Sequence, residues 1–176
     1  MIIDTNFQTP KEVCTYMASL VPENSKSILE PTPGLGNMIS ALNKKGFSVE
    51  FPDDYFLHQQ RYKKASFDCV VMNPPFSSKS AYLGNAPDEW KNYTGMKFGY
   101  KMLTEMMEIS KNIIALMPWF TISDSDVRLR SLKNYGLKSV TALPRKTFQY
   151  ARIQTCVIEL EKGFTGRTEF KVFELL

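Results

Sequence analysis

Asn73-Pro74-Pro75-Phe76 carries the most specific chemistry in the chain. Two prolines fix two φ angles, and Pro74 keeps Asn73 extended, so the segment is rigid before any ligand arrives. Asn73 offers an amide oxygen and the neighbouring backbone a carbonyl, two acceptors suited to the two hydrogens of one –NH₂ group. An amine attached to an aromatic ring is a poor nucleophile, because its lone pair is delocalised into the ring. Drawing its hydrogens out of plane moves the nitrogen toward sp³ and frees the lone pair to attack a methyl sulfonium in line. Such catalysis works by positioning and electrostatics. It needs no strong general base, which suits a chain whose only histidine is His58. Phe76 adds a face on which a planar base can stack, worth about 1–3 kcal/mol. The plain alternative is a proline-rich turn that closes a strand, with Phe76 in the core.

A second loop, Glu30-Pro31-Thr32-Pro33-Gly34-Leu35-Gly36-Asn37, has the glycine spacing of a nucleotide cradle. Glycine lets backbone approach a ligand and adopt dihedrals closed to other residues. A Gly-x-Gly between strand and helix puts a ligand at the helix N-terminus. On its own this pattern also fits an ordinary strand-to-helix turn. Glu30 adds a carboxylate that accepts hydrogen bonds from a cationic amine or from loop N–H groups.

Both loops need strands to present them. Residues 27–29 read as a short buried strand ending at Glu30, and 67–72 (FDCVVM) as a clear strand running straight into Asn73. Further strands are expected over 47–51, 113–117, 137–143, 153–160 and 169–173. Helices are expected from Thr9, with Thr9 as cap, Pro10 in the first turn and Glu12 closing a capping box. Others are expected over 37–45, stopped by Gly46, around Tyr100 to Ser110, and over 123–134, with Ser123 and Asp126 as a capping pair. Residues 77–99 are polar and glycine-containing and read as mostly loop. The alternation gives an α/β fold, a mostly parallel doubly wound sheet with an antiparallel edge strand. Ligands in such sheets bind at the carboxyl ends of strands, where both loops lie.

With 176 residues, 43% of them hydrophobic and 23% charged, the chain fits a single domain with an ordinary core. The N-terminus carries acid and no long apolar run, so it is not a signal peptide, and no stretch approaches the roughly 18 apolar residues of a membrane span. Cys14, Cys69 and Cys156 are odd in number and far apart, and read as reduced core thiols of a cytoplasmic protein. No cysteine or histidine cluster suggests a metal. The net charge of +4 permits a polyanion partner without demanding one. Basic residues gather at Lys44–Lys45, Arg61–Lys63–Lys64, Arg128–Arg130 and Arg145–Lys146–Arg152, where solvated surface is the plain reading of each cluster.

In these residues the chain resembles the adenine-N6 DNA methyltransferases, within the Rossmann-like class I enzymes that use S-adenosylmethionine. Asn73, Pro74, Pro75 and Phe76 look like the catalytic motif. Glu30-Pro31-x-x-Gly34-x-Gly36 looks like the cofactor loop. Phe7-Gln8-Thr9-Pro10 is similar to the short N-terminal motif that closes over the methionine part of the cofactor. Leu143-Pro144 to Phe148, followed by 155–158, is similar to a late motif. The resemblance implies S-adenosylmethionine as cofactor, adenine in DNA as substrate and a cytoplasmic location in a bacterial or phage-infected cell. It gives cofactor roles to Phe7, Thr9, Pro10, Glu30, Pro31, Gly34, Gly36, Asp54, Tyr55 and Asn73.

Asp54-Tyr55 matches the pair that contacts the cofactor adenine. The ribose acid is Glu50, Asp53 or absent, because the interval is compressed. No separate target-recognition domain fits within residues 1–176. Either the site read is very short, or a separate recognition subunit or self-association supplies reading, or the substrate is not duplex DNA. Residues 77–99 hold Lys79, Tyr82, Trp90, Lys91, Tyr93 and Lys97, a mixture that suits a nucleic-acid contact loop or an active-site lid. Lys79, Arg145, Lys146 and Arg152 are candidates for phosphate contacts, and Phe148 for a wall of the base pocket or a place in the core. Adenine within a duplex would have to flip out to be reached. The same acceptor geometry also serves an amine in RNA or a protein glutamine, and a non-catalytic subunit on the same fold is a third reading.

Overall fold

A computed structural model describes residues 8–93, 97–148 and 153–174. In chain order the elements are α1 (Lys11–Ser19), β1 (Ile28–Leu29), α2 (Asn37–Lys44), β2 (Val49–Glu50), α3 (Tyr55–Tyr62), β3 (Phe67–Met72), α4 (Asp88–Lys91), α5 (Lys97–Ile109), β4 (Ser110–Pro118), α6 (Phe120–Ser123), α7 (Asp126–Tyr135), β5 (Leu137–Ala142), β6 (Thr155–Glu161) and β7 (Glu169–Val172). The strands form one mixed sheet in the order β2-β1-β3-β4-β6-β5-β7.

The residue pattern explains the layering. On β3, Cys69 and Val71 are buried among Val13, Cys14, Met17, Met38 and Leu42, which α1 and α2 supply. Val70 and Met72 are buried on the opposite face, among Trp90, Phe98, Leu103 and Met106. A strand apolar on both faces needs helices on both faces, which is the doubly wound arrangement. Each fully buried Val, Leu, Ile, Phe or Met side chain contributes about 1.5–3 kcal/mol.

The expected antiparallel edge is corrected. The antiparallel strand is β6, and it lies inside the sheet between β4 and β5. Its first six residues are all buried, and such a run on both faces cannot sit at a margin. The margin belongs to β7, which is parallel to β5 and mostly exposed.

Three local expectations also change. Thr9 does not cap α1: Pro10 occupies the cap position without a side-chain bond, and the Thr9 hydroxyl is engaged elsewhere. The helix expected over 123–134 begins three residues later, as α7, because Ser125 rather than Ser123 caps it, accepting from the Arg128 N–H at 3.3 Å. Within 77–99, α4 and the first turn of α5 are helical, and so is a 3₁₀ turn at Ser78–Ser80. Helix α3 is not among the expected elements. It is started by Asp54, whose carboxylate accepts from the Phe56 N–H at 2.9 Å.

The three cysteines are free and buried, and burial pushes the thiols of Cys14 and Cys156 up to about 12. They are apolar packing groups at neutral pH. Among the described residues, no helix is long and apolar enough to cross a membrane.

Gly136 links α7 to β5 at φ 133°, and a Cβ there would lie 1.9 Å from the Glu161 carbonyl oxygen. Gly136→Ala is therefore expected to lower stability by about 2–5 kcal/mol, from a strained dihedral plus overpacking. The shift of the urea midpoint measures it, and an unshifted midpoint would contradict this account of the junction.

Candidate active site

β1 and β3 are parallel neighbours, with Leu29 opposite Val70. The glycine loop and Asn73-Pro74-Pro75-Phe76 therefore leave the sheet side by side at its carboxyl end. Gly34 (φ 53°) and Gly36 (φ 83°) take the left-handed region, which turns the chain into α2 at low cost. The Gln8 side chain locks over this turn, its Oε1 accepting from the Leu35 N–H at 2.9 Å.

Asn73 is held from two sides. Its Nδ2 donates to the Thr9 hydroxyl at 2.9 Å, and its backbone carbonyl accepts from the Thr32 hydroxyl at 3.2 Å. Thr32 also binds Glu30, through its N–H at 2.8 Å and its hydroxyl at 3.1 Å. Asn37 Nδ2 donates to the Thr9 carbonyl at 3.1 Å. Neither Thr32 nor Asn37 stood out in the sequence. Both are single polar residues next to a motif, and nothing local marks them.

One cleft of about 430 Å³ is lined by both loops together. Pro31 and Gly34 come from the first and Asn73, Pro74, Pro75 and Phe76 from the second; Asp54, Tyr55, Lys79 and Phe148 also face it. Phe148 does both things considered for it, being 6% exposed within the core while lining the cleft. Thr9, Pro10 and Glu30 are not among the lining residues, and Gly36 faces a more open groove beside Leu35 and Phe51. Arg145 and Lys146 are exposed on a 3₁₀ turn, outside the lining. Phe7 and Arg152 lie outside the described residues.

The acids after β2 separate by environment. Glu50 pairs with Arg61. Asp54 caps α3 with one oxygen and accepts from Asn85 Nδ2 at 2.9 Å with the other. Asp53 is exposed and lines the cleft. Tyr55 lines it too, but its hydroxyl turns inward and donates to Glu105. Behind the second loop, Gly99 of α5 donates to the Phe76 carbonyl at 3.4 Å, and a Cβ on it would meet the Pro75 oxygen at 3.1 Å. Phe98 and Met102 of the same helix complete that wall. Among the described residues, no group of His, Cys, Asp and Glu is placed to hold a metal ion.

No protein-family model and no curated protein matches the chain. Solved structures share its fold. The methyltransferase subunit of a type I restriction-modification system from Streptococcus thermophilus is 18% identical, with a TM-score of 0.70 over 95% of this chain and 47% of that one. The M protein of the type I restriction enzyme EcoKI is 13% identical, with a TM-score of 0.68 over 92% of this chain and 45% of that one. DrdV, solved as a DNA complex, is 10% identical, with a TM-score of 0.64 over 94% of this chain and 27% of that one. The chain spans about half the length of the first two. At such identities the likeness is one of fold.

Glu30 anchors the electrostatics. It is 2% exposed, and burial raises its carboxyl to about 7 although both Thr32 bonds pull the other way. The folded state thus favours the neutral acid, whereas the unfolded chain ionises in the ordinary carboxyl range. Stability from this group is present at low pH and falls as pH rises from that range toward about 7. The stability difference between the native chain and Glu30→Gln, followed by urea unfolding, is expected to fall by on the order of 3 kcal/mol between pH 5 and pH 8. A pH-independent difference would show that Glu30 is charged in the fold throughout.

Proposed function

We propose that this chain transfers a methyl group from S-adenosylmethionine to the N6 amino group of adenine in DNA. The observation that carries this reading is the single cleft lined by the glycine loop and by Asn73-Pro74-Pro75-Phe76. Its volume of about 430 Å³ is in the range of small-molecule sites. The donor set suits a cationic nucleoside: an open glycine turn, two cleft-lining acids, Asp53 and Asp54, and apolar surfaces. Pro31, Gly34 and Gln8 would hold the methionine end. Asp53 is the acid best placed for ribose hydroxyls, because Glu50 and Asp54 have other partners. Tyr55 and Phe56 present ring surface to the cofactor adenine. When bound, the cofactor supplies an electrophilic methyl on a sulfonium.

The chain's own part is to prepare the amine. With Nδ2 committed to Thr9, the side-chain oxygen of Asn73 is the acceptor for one amine hydrogen. A neighbouring backbone carbonyl of the same loop takes the other. Phe76 and Phe148 give the base two walls. The proton shed after methylation leaves to water, since the methylated amine is a strong acid until it loses one. Lys79 at the cleft, with Arg145 and Lys146 nearby in sequence to Phe148, supplies positive charge for phosphates. The fold shared with a restriction-modification methyltransferase subunit and with a protein solved in complex with DNA supports the DNA substrate.

Transfer of radiolabelled methyl to DNA, RNA and protein in parallel tests the reading. Label is expected in DNA, and Asn73→Ala should slow transfer at least about 10²-fold while calorimetry shows cofactor binding kept. Label confined to RNA or protein would overturn the substrate, and absence of cofactor binding would leave a scaffold. Thr9→Val should lower kcat about tenfold with little change in KM, and Thr9→Ser should restore it.

A further inference from the structure

Among the described residues, strand β7 closes the sheet and has a partner on one side only. Its ladder with β5 fixes where its backbone groups point. Ala142 pairs with Val172, and the Phe173 N–H donates to the Ala142 carbonyl at 2.9 Å. In a parallel ladder this turns the N–H and C=O groups of Glu169 and Lys171 toward β5 and those of Phe170 and Val172 outward. The outer edge is thus an unpaired template for another strand. Its apolar side chains are in water as well: Phe170 is 62% and Val172 67% exposed. Glu169 and Lys171 share the other face and pair with each other at 3.1 Å.

We propose that this edge pairs with the same edge of a second copy, antiparallel about a two-fold axis at Phe170. The segment Glu169-Phe170-Lys171 is its own charge complement in that register. Phe170 meets Phe170 of the other copy as a hydrogen-bonded pair, which its outward N–H and C=O require. Each Glu169 then lies opposite a Lys171, and each Lys171 opposite a Glu169. Centring the axis on Glu169 sets glutamate against glutamate, and centring it on Lys171 sets lysine against lysine, both unfavourable. The pairing is isologous and closes after two copies. It joins two sheets edge to edge, and because the strands run oppositely the two clefts open in opposite directions.

Sedimentation equilibrium of the full chain over a concentration series tests this, independently of methyl transfer. The native chain is expected to dimerise. Glu169→Lys and Lys171→Glu should each weaken dimerisation at least about tenfold, since each sets like charges opposite in both pairs. Mixing the two variants should restore dimers, as a hetero-pair in which every lysine again faces a glutamate. Val172→Pro removes an outward N–H without touching the β5 ladder, and should abolish pairing while the unfolding midpoint holds at concentrations where the native chain is monomeric. A native chain that stays monomeric throughout, or a dimer indifferent to the charge reversals and to their mixing, would overturn the proposal.

Discussion

Parallel pairing of β1 with β3 is the constraint on which the rest of the site depends. Two loops separated by about forty positions in sequence become neighbours only because Ile28 and Leu29 lie beside Cys69 and Val70 in the same direction. Adjacent strands sit about 4.8 Å apart, so the polar residues that follow them can reach one another. Thr32 does so, holding Glu30 of its own loop and the Asn73 carbonyl of the next. Burial of β3 on both faces leaves its end little freedom, and two prolines then remove what remains. Rigidity thus comes from packing first and from the motif second.

The legible parts of the fold were those where local chemistry and burial agree. β3 follows its apolar run from Phe67 to Met72, and α2 follows the glycine that precedes it and the lysine-glycine that ends it. The same agreement made the cleft's two loops legible, because prolines and glycines restrict backbone wherever they occur. The place of β6 was not legible, although its buried run 155–160 was: strand order depends on which neighbours compete for the same edge, and no single segment encodes that. Nor was α3, whose pattern is weak because Gln59 is among its buried residues, and Tyr55 and Gln59 find their partner in the distant Glu105. Capping failed at Thr9 for a similar reason. A hydroxyl suited to a helix start found a better-placed donor in Asn73, 64 residues on.

The acids around the cleft show how position decides role. Glu30 is buried and tends to the neutral form, Glu50 is paired with Arg61, Asp54 is spent on a helix cap and on Asn85, and Asp53 faces the cleft. A sequence reading sees four carboxylates within a short stretch and cannot rank them. The surroundings rank them, because a carboxylate already satisfied by protein donors has little left to offer a ligand.

The width of the cleft, in turn, is set by helices rather than by its loops. Tyr55 and Phe56 open α3 on one side, and Phe98 and Met102 of α5 face them in the same lining. Glu105, one turn beyond Met102, ties the two helices: it accepts from the Tyr55 hydroxyl and from Gln59 Nε2 at 2.7 Å, and lies 3.6 Å from the Lys63 ammonium. The burial of Tyr55 and the nearby carboxylate push its phenol upward in pKa, so it stays a donor at any ordinary pH. A buried carboxylate with three donors is costly to leave half satisfied, so α3 and α5 cannot drift apart without exposing it to that cost. Gly99 completes the arrangement from the other end of α5 by letting the helix press on the Pro75 carbonyl. The aromatic wall beside Asp53 and the stiff loop at Asn73 are therefore one mechanical unit, and the spacing between them is fixed behind the wall, where the Tyr55 hydroxyl meets Glu105.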